Sequence, residues 1–219
     1  MLLEMGKEMK IISISVGYLL TNCYIIACER TKEALVIDPG LSANEAERLF
    51  REIMKYSLQV KYIVNTHGHM DHISGNALVK ERTGATIMIH EYDADMLINP
   101  MENLSGIMGL SVISPPPDLT LKDEDKIRVG NLEIDVLHTP GHTPGSISLY
   151  CRSEGVVFTG DTLFAGAVGR TDFPGSSHRM LIESIREKLL ILPDETIAYP
   201  GHGEATTIGR ERRWNPFLK

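Results

Sequence analysis

The segment VNTHGHMDHISG, residues 64–75, sets His67, His69, Asp71 and His72 within six positions, directly after an apolar run. The whole chain has eight histidines, so three in one turn of sequence is a strong concentration. Crowded imidazoles repel one another once protonated, and their nitrogens gain nothing from apolar neighbours. A bound cation reverses that balance, because neutral imidazole and carboxylate are both good metal ligands. How many cations such a chain holds depends on the ligand-type side chains it brings from elsewhere.

The rest of the chain reads as strands and helices in mixed order. KIISISV, NCYIIAC and EALVID are short, β-branched and separated by turn residues, which predicts strands. Ser42 and Glu45 make a capping-box pattern, followed by Ala43, Ala46, Leu49, Phe50 and Ile53 on one helical face. VKYIVNT predicts a strand ending at the histidines, residues 74–83 a helix, TIMIH a strand and residues 92–98 a short helix. Residues 99–119 hold four prolines and two glycines, which predicts a loop over a surface or site. KIRV, LEIDVLHT, SISLYC and GVVFTG then predict strands, HRMLIESIREKLLILP an amphipathic helix, and TIAYPGH a last strand. No repeat and no long polar linker divides the chain. Residues 1–219 therefore read as one domain of the α/β (α+β) class, two sheets with helices on their outer faces.

On that frame NTHGHMDH, HTPGHTPGS, FTGDTLF and AYPGHGE fall at strand ends, on loops held by a rigid scaffold. Together they carry His67, His69, Asp71, His72, His142, Asp161 and His202. In an extended run His67, His69 and Asp71 share a face while His72 points elsewhere, which suits two adjacent metal sites. PGH occurs at 140–142 and again at 200–202, each glycine letting backbone approach whatever the histidine holds. Asp161 follows a buried strand, where an unpaired carboxylate is expensive and a bridging one is not. One such residue alone is ordinarily a hydrogen-bonded structural group; the whole set has no structural advantage without a cation.

THGHMDH with His142, Asp161 and His202 resembles the metallo-β-lactamase superfamily, in its glyoxalase II-like (hydroxyacylglutathione hydrolase-like) branch. The resemblance runs from TNCYII to GHGEATTIGRERRWNPFL. It implies an αββα sandwich of two mixed sheets with metals at one edge. It also implies two divalent ions, zinc first, with iron or manganese suited to the same donors. His67, His69 and His142 would hold one ion, Asp71, His72 and His202 the other, and Asp161 would bridge them. The reaction implied is hydrolysis of a 2-hydroxyacyl thioester such as lactoylglutathione, with Asp71 orienting the nucleophile. Many β-lactamases of the superfamily carry cysteine where Asp161 stands, which disfavours antibiotic hydrolysis. In glyoxalase II a Lys-x-Tyr pair and a C-terminal helical domain grip glutathione. Here GDTLFAGAVGRTDFPG offers Arg170, Thr171 and Asp172 at that place, and the chain ends soon after His202. Persulfide dioxygenases share the fold and a similar GRTDF segment. They set a rival reading, a single iron held by His67, His142 and Asp161. A non-catalytic metal-binding relative is the remaining alternative.

The other expectations concern surroundings. A net charge of −7 provides no field for nucleic acid or anionic membrane; the partner that the resemblance implies is a small-molecule thioester. The N-terminal stretch MLLEMGKEMK has no run of signal-peptide length, and the expected location is the cytoplasm. Cys23 and Cys28 read as buried free thiols. Arg170 and His178 are candidate substrate contacts, with an Arg170–Asp172 pair and a helix-start role as their alternatives. His90 reads as a satisfied core histidine and His138 as structural support. Met101, Met108 and Leu110 read as packing on the body, with an apolar substrate path as the alternative, and Trp214 and Phe217 as pinning the tail to the core.

Overall fold

Strands that are apolar on both faces must be covered twice, and this decides the layering. In the computed structural model, which describes residues 8–219, strand β2 (Thr21–Cys28) is buried at every position. Its Cys23, Ile25 and Ala27 enter one core, and Tyr24, Ile26 and Cys28 another. Strand β3 (Glu33–Ile37) divides likewise, Ala34 and Val36 against Leu35 and Ile37. Residues 1–7, part of the stretch read as lacking a signal peptide, lie outside the described residues.

The first sheet has the order β1 (Met9–Val16), β2, β3, β4 (Gln59–Val64), β5 (Thr86–His90), β6 (Leu119–Leu121). It is antiparallel through β3 and parallel beyond. The second contains β7 (Lys126–Val129), β8 (Leu132–His138), β9 (Ile147–Cys151), β10 (Val156–Gly160), β13 (Ile197–Pro200) and β14 (Thr206–Thr207). Their order is β14-β13-β10-β9-β8-β7, with only β10 and β13 parallel neighbours. A hairpin of β11 (Leu163–Phe164) and β12 (Ala167–Val168) stands apart. Helices α1 (Ala43–Lys55) and α3 (Asn76–Thr83) cover the first sheet through Leu49, Phe50, Ile53 and Val79. Helices α4 (His178–Ser184) and α5 (Ile208–Trp214) cover the second, Leu181 and Ile208 meeting Tyr150 and Val157. The result is an αββα sandwich of two mixed sheets.

Several local expectations are corrected. The Ser42 N–H donates to Glu45 Oε2 at 2.9 Å, as the capping pattern requires, but Ala43 is exposed because the first turn of α1 faces solvent. The helix expected over 74–83 is α3, which begins at Asn76, and a separate helical turn α2 (Met70–Ile73) precedes it unforeseen. The segment expected as a helix over 92–98 is a 3₁₀ turn, Glu91–Leu97. The amphipathic helix from His178 loosens after Ser184 into a π turn, Ile185–Leu189, which keeps Ile185 and Leu189 buried. Met101, Met108 and Leu110 are exposed rather than packed on the body. Trp214 and Phe217 do not pin the tail, being 72% and 53% exposed. Asn215 and Glu211 are buried there instead, and the Asn215 amide donates to Glu211 Oε2 at 2.8 Å. Cys23, Cys28 and Cys151 are buried free thiols. Among the described residues no helix is long and apolar enough to cross a membrane.

Candidate metal centre

Strand direction brings the chemistry to one edge. Strands β8, β10 and β13 run the same way, since β9 is antiparallel to both β8 and β10, and β13 is parallel to β10. Their C-terminal ends lead to His142, Asp161 and His202, while β4 in the facing sheet leads to His67. Main-chain bonds fasten these ends together: Ile147 N–H to Thr66 O at 2.8 Å, Gly201 N–H to Gly160 O at 2.8 Å, Asn22 N–H to Gly201 O at 2.7 Å. Two glycines are required by close approach. Gly160 has φ +50°, and a Cβ there would collide with Thr66 Oγ1; a Cβ on Gly201 would collide with Asp161 Oδ1.

All seven ligand-type side chains converge. They form three overlapping groups whose donor atoms lie within 4.8 Å of one another: His67, His69, His142; His67, His72, Asp161; and Asp71, His72, His202. His142 Nε2 is 3.0 Å from His69 Nδ1 and 3.6 Å from Asp161 Oδ2. Asp161 also lies 3.5 Å from both His72 Nε2 and His202 Nε2, so it reaches both ends of the cluster. Asp71 Oδ2 is 3.3 Å from His72 Nε2 and from His202 Nε2. The alternation expected along an extended run stops at Met70. Residues 70–73 are a helical turn, which aims adjacent Asp71 and His72 at the same place instead of opposite faces.

The imidazoles are oriented from behind. His72 Nδ1 donates to Asp38 Oδ2 at 2.9 Å, His142 Nδ1 to Arg170 O at 2.8 Å, and His202 Nδ1 to Leu19 O at 3.0 Å. His67 Nδ1 donates to Thr66 Oγ1 at 3.2 Å, whose own proton goes to Asp38 Oδ2 at 2.6 Å. Each of these bonds puts the N–H outward and leaves the Nε2 lone pair facing the cluster, the arrangement expected of metal-binding histidines. His67 Nε2, His72 Nε2 and Asp161 Oδ1 are buried without a hydrogen-bond partner among the described residues. Each such orphan costs about 1–3 kcal/mol, and all three belong to one donor group. Divalent cations fit this donor set.

The charge distribution agrees. Burial, then the neighbouring imidazoles, holds His67 and His69 well below the ordinary histidine value, so both stay neutral. Burial also pushes His72 down, but Asp71, Asp38 and Asp161 outweigh it and hold it well above that value. Burial raises the Asp71 carboxyl, yet His72 and His202 hold it far below the usual carboxylate range. Neutral imidazoles at one end and the ionised Asp71 at the other both attract a cation, and a cation on His72 would displace the proton that the carboxylates hold there.

Several supporting residues are not evident from the sequence. Asp38, fully buried at the end of β3, ties His72 to Thr66; the buried-strand argument applied to Asp161 would have found it. Thr21 Oγ1 donates to Asp71 Oδ2 at 2.8 Å. Buried Asp93 accepts from Gly68 N–H at 3.0 Å, Gly145 N–H at 2.6 Å and Thr143 Oγ1 at 2.7 Å. It joins the His67–His69 loop to the His142 loop, and no sequence pattern signals it. His90 and His138 sit away from the cluster, stacked on each other at 4.1 Å.

A cavity of about 450 Å³ opens over the cluster, floored by His69, Asp71, His142, Asp161 and His202. A hollow of about 590 Å³ along β7 and β8 lies elsewhere and is lined by none of the metal-type groups. Arg170 lines the cavity over the cluster, but its Nε and Nη2 donate to Asp172 at 3.0 and 2.7 Å, the pairing weighed above. His178 is exposed at the start of α4 and does not line this cavity.

A family profile described as the metallo-beta-lactamase superfamily matches residues 16–202, from the end of β1 through the last of the clustered histidines. The chain belongs to the metallo-β-lactamase superfamily. Among relatives within it, hydroxyacylglutathione hydrolase GloC of Haemophilus influenzae is 41% identical over 199 residues, covering 90% of this chain and 92% of its own. The crystal structure of BLEG-1, described as a B3 metallo-beta-lactamase, is 37% identical with a TM-score of 0.90, covering 96% and 100% of the two chains. ETHE1 from Myxococcus xanthus is 32% identical with a TM-score of 0.78, covering 95% and 84%. The superfamily fold binds divalent metals, and this member brings a full set of histidine and aspartate donors to the expected edge.

Proposed function

We propose that this protein is a dinuclear metal-dependent hydrolase of thioesters, glyoxalase II-like in its chemistry. The observation that carries the reading is the pair of donor groups joined by Asp161 beneath an open cavity. His67, His69 and His142 would hold one ion and Asp71, His72 and His202 the other, with Asp161 between them. Zinc is the metal proposed first, iron or manganese next. Such ions, when bound, polarise a carbonyl and lower the pKa of bound water. Asp71, steadied by Thr21, orients the nucleophilic oxygen. That oxygen bonds to the thioester carbonyl carbon and the C–S bond breaks. Its electron pair leaves on sulfur, and the water's protons go to the thiolate and to solvent. A thiolate departs without strong acid help, so no further proton donor is needed. The name of the GloC relative supports a hydroxyacyl thioester such as lactoylglutathione.

A second reading, a mononuclear iron dioxygenase using His67, His142 and Asp161, is supported by the likeness to ETHE1. Metal analysis paired with assays on lactoylglutathione, a persulfide with oxygen, and a β-lactam separates the readings. Two ions per chain with thioester hydrolysis is the expected result. One iron with persulfide oxidation, or β-lactam turnover without thioesterase activity, would overturn it. The absence of any turnover would favour a non-catalytic member.

A further inference from the structure

The walls above the cluster are apolar, and three separate segments build them. Leu19 comes from the β1–β2 turn, Leu104, Ile107 and Met108 from the long loop after Ile98, and Phe164 and Val168 from the β11–β12 hairpin. Ile107 and Met108 are 60% and 58% exposed. Side chains so placed contribute little to the core; gathered over one cavity, they mark a surface that a ligand covers.

The long loop is a built wall. Asn103 is fully buried, and its side-chain amide donates to Met96 O at 3.0 Å and Val112 O at 2.9 Å. The main-chain carbonyl of Asn103 accepts from Met70 N–H at 3.0 Å, directly before Asp71. The next residue, Leu104, has φ +69°, a left-handed conformation costly for any residue with a Cβ. A leucine in that conformation keeps an aliphatic side chain in the cavity despite the backbone strain, and strain of this kind gathers at ligand clamps.

Charge is missing where a polar ligand would need it. Among the described residues, the one charged lining residue outside the metal cluster is Arg170. It is paired to Asp172 and lies 4.5 Å over the Phe173 ring. A carboxylate or strongly hydrated acyl group would give up water there and face hydrocarbon.

We infer that the site takes thioesters of uncharged aliphatic acyl chains. The chain lies against Leu104, Ile107, Met108, Phe164 and Val168, and the thiol carrier points to solvent. This rests on the thioesterase reading but departs from lactoylglutathione as its substrate: water and an aliphatic acyl thioester give a carboxylate, a free thiol and a proton. A lactoyl group would touch the floor and leave the walls bare.

The test uses the metal-loaded protein and N-acetylcysteamine thioesters of acetyl, butanoyl, hexanoyl and octanoyl groups. kcat/KM is expected to rise about two- to fourfold per buried methylene. The Ile107→Ser/Met108→Ser double variant should reduce that slope. A flat or falling series would overturn the inference while leaving thioesterase activity standing. So would a rise that appears only when the thiol side is lengthened. If no thioester is hydrolysed, the thioesterase reading fails by itself. Calorimetry on S-alkyl N-acetylcysteamine thioethers of increasing length then decides the inference: affinity growing with chain length supports it, and length-independent affinity overturns it.

Discussion

At the scale of single residues, Asp71 and His90 show how the surroundings set the chemistry. Asp71 faces two histidines of the cluster and is steadied by Thr21. Losing even an outer partner of a metal ligand costs about 10–100-fold, so Asp71→Ala should lower turnover by at least about 100-fold. Circular dichroism should remain native, because the fold does not rest on this side chain; near-native turnover would refute its role. His90 is buried and its Nδ1 accepts from Tyr92 N–H at 3.2 Å, which requires a neutral ring. Burial and then stacked His138 push it down to about 4. Below the ordinary value of about 6.5 the unfolded chain takes a proton that the folded chain refuses. Its contribution is therefore complete above about pH 6.5 and is lost as pH falls toward 4. Urea titrations across that window should show a shallower pH slope for His90→Phe than for the unaltered protein; identical slopes would clear His90 of the effect.

At the scale of elements, the β11–β12 hairpin depends on a helix far along the chain. Buried Glu211 of α5 accepts from Gly166 N–H at 2.8 Å and from Asn215 Nδ2 at 2.8 Å, and Thr206 Oγ1 donates to it at 2.6 Å. Glu211→Ala leaves those donors unpaired, at about 1–3 kcal/mol for each one that stays buried. Tm should fall by several degrees, since about 2–4 °C accompanies each kcal/mol in a chain of this size. The hairpin carries Phe164 and Val168, so KM for the substrate should rise as well. Unchanged Tm and KM would show that the hairpin holds its place without α5.

At the scale of the whole molecule, the cluster couples the two sheets. His67, His69, Asp71 and His72 follow β4 of the first, and His142, Asp161 and His202 follow strands of the second. An ion bound across that seam binds the folded state and not the unfolded one. At 100 times its Kd it stabilises by about 2.7 kcal/mol. Chelator-treated protein should therefore gain roughly 5–10 °C in Tm on adding zinc. Thermal denaturation with and without metal checks this, and an unchanged Tm would mean the donors hold no ion.

The sequence by itself picked out the His and Asp side chains that cluster, the strand ends that carry them, and the two-sheet class. Those signals are local: tight spacing of His67 to His72, β-branched runs, and glycine turns. It also placed the loop after residue 98, whose prolines forbid regular structure. The family resemblance already implied that Asp71 and His72 belong together, and the tertiary structure supplied the reason, because α2 turns them to one place where alternation would part them. Only the tertiary structure decided the roles of Asp38 and Asp93. A buried carboxylate is legible only when its distant partners, Thr66 and His72 or Gly68 and Gly145, are in place around it. Of the apolar walls the sequence offered only Met108, as the alternative to packing on the body. Leu19, Met108 and Phe164 are far apart in the chain, and strand direction, a long-range property, is what brings them over one floor.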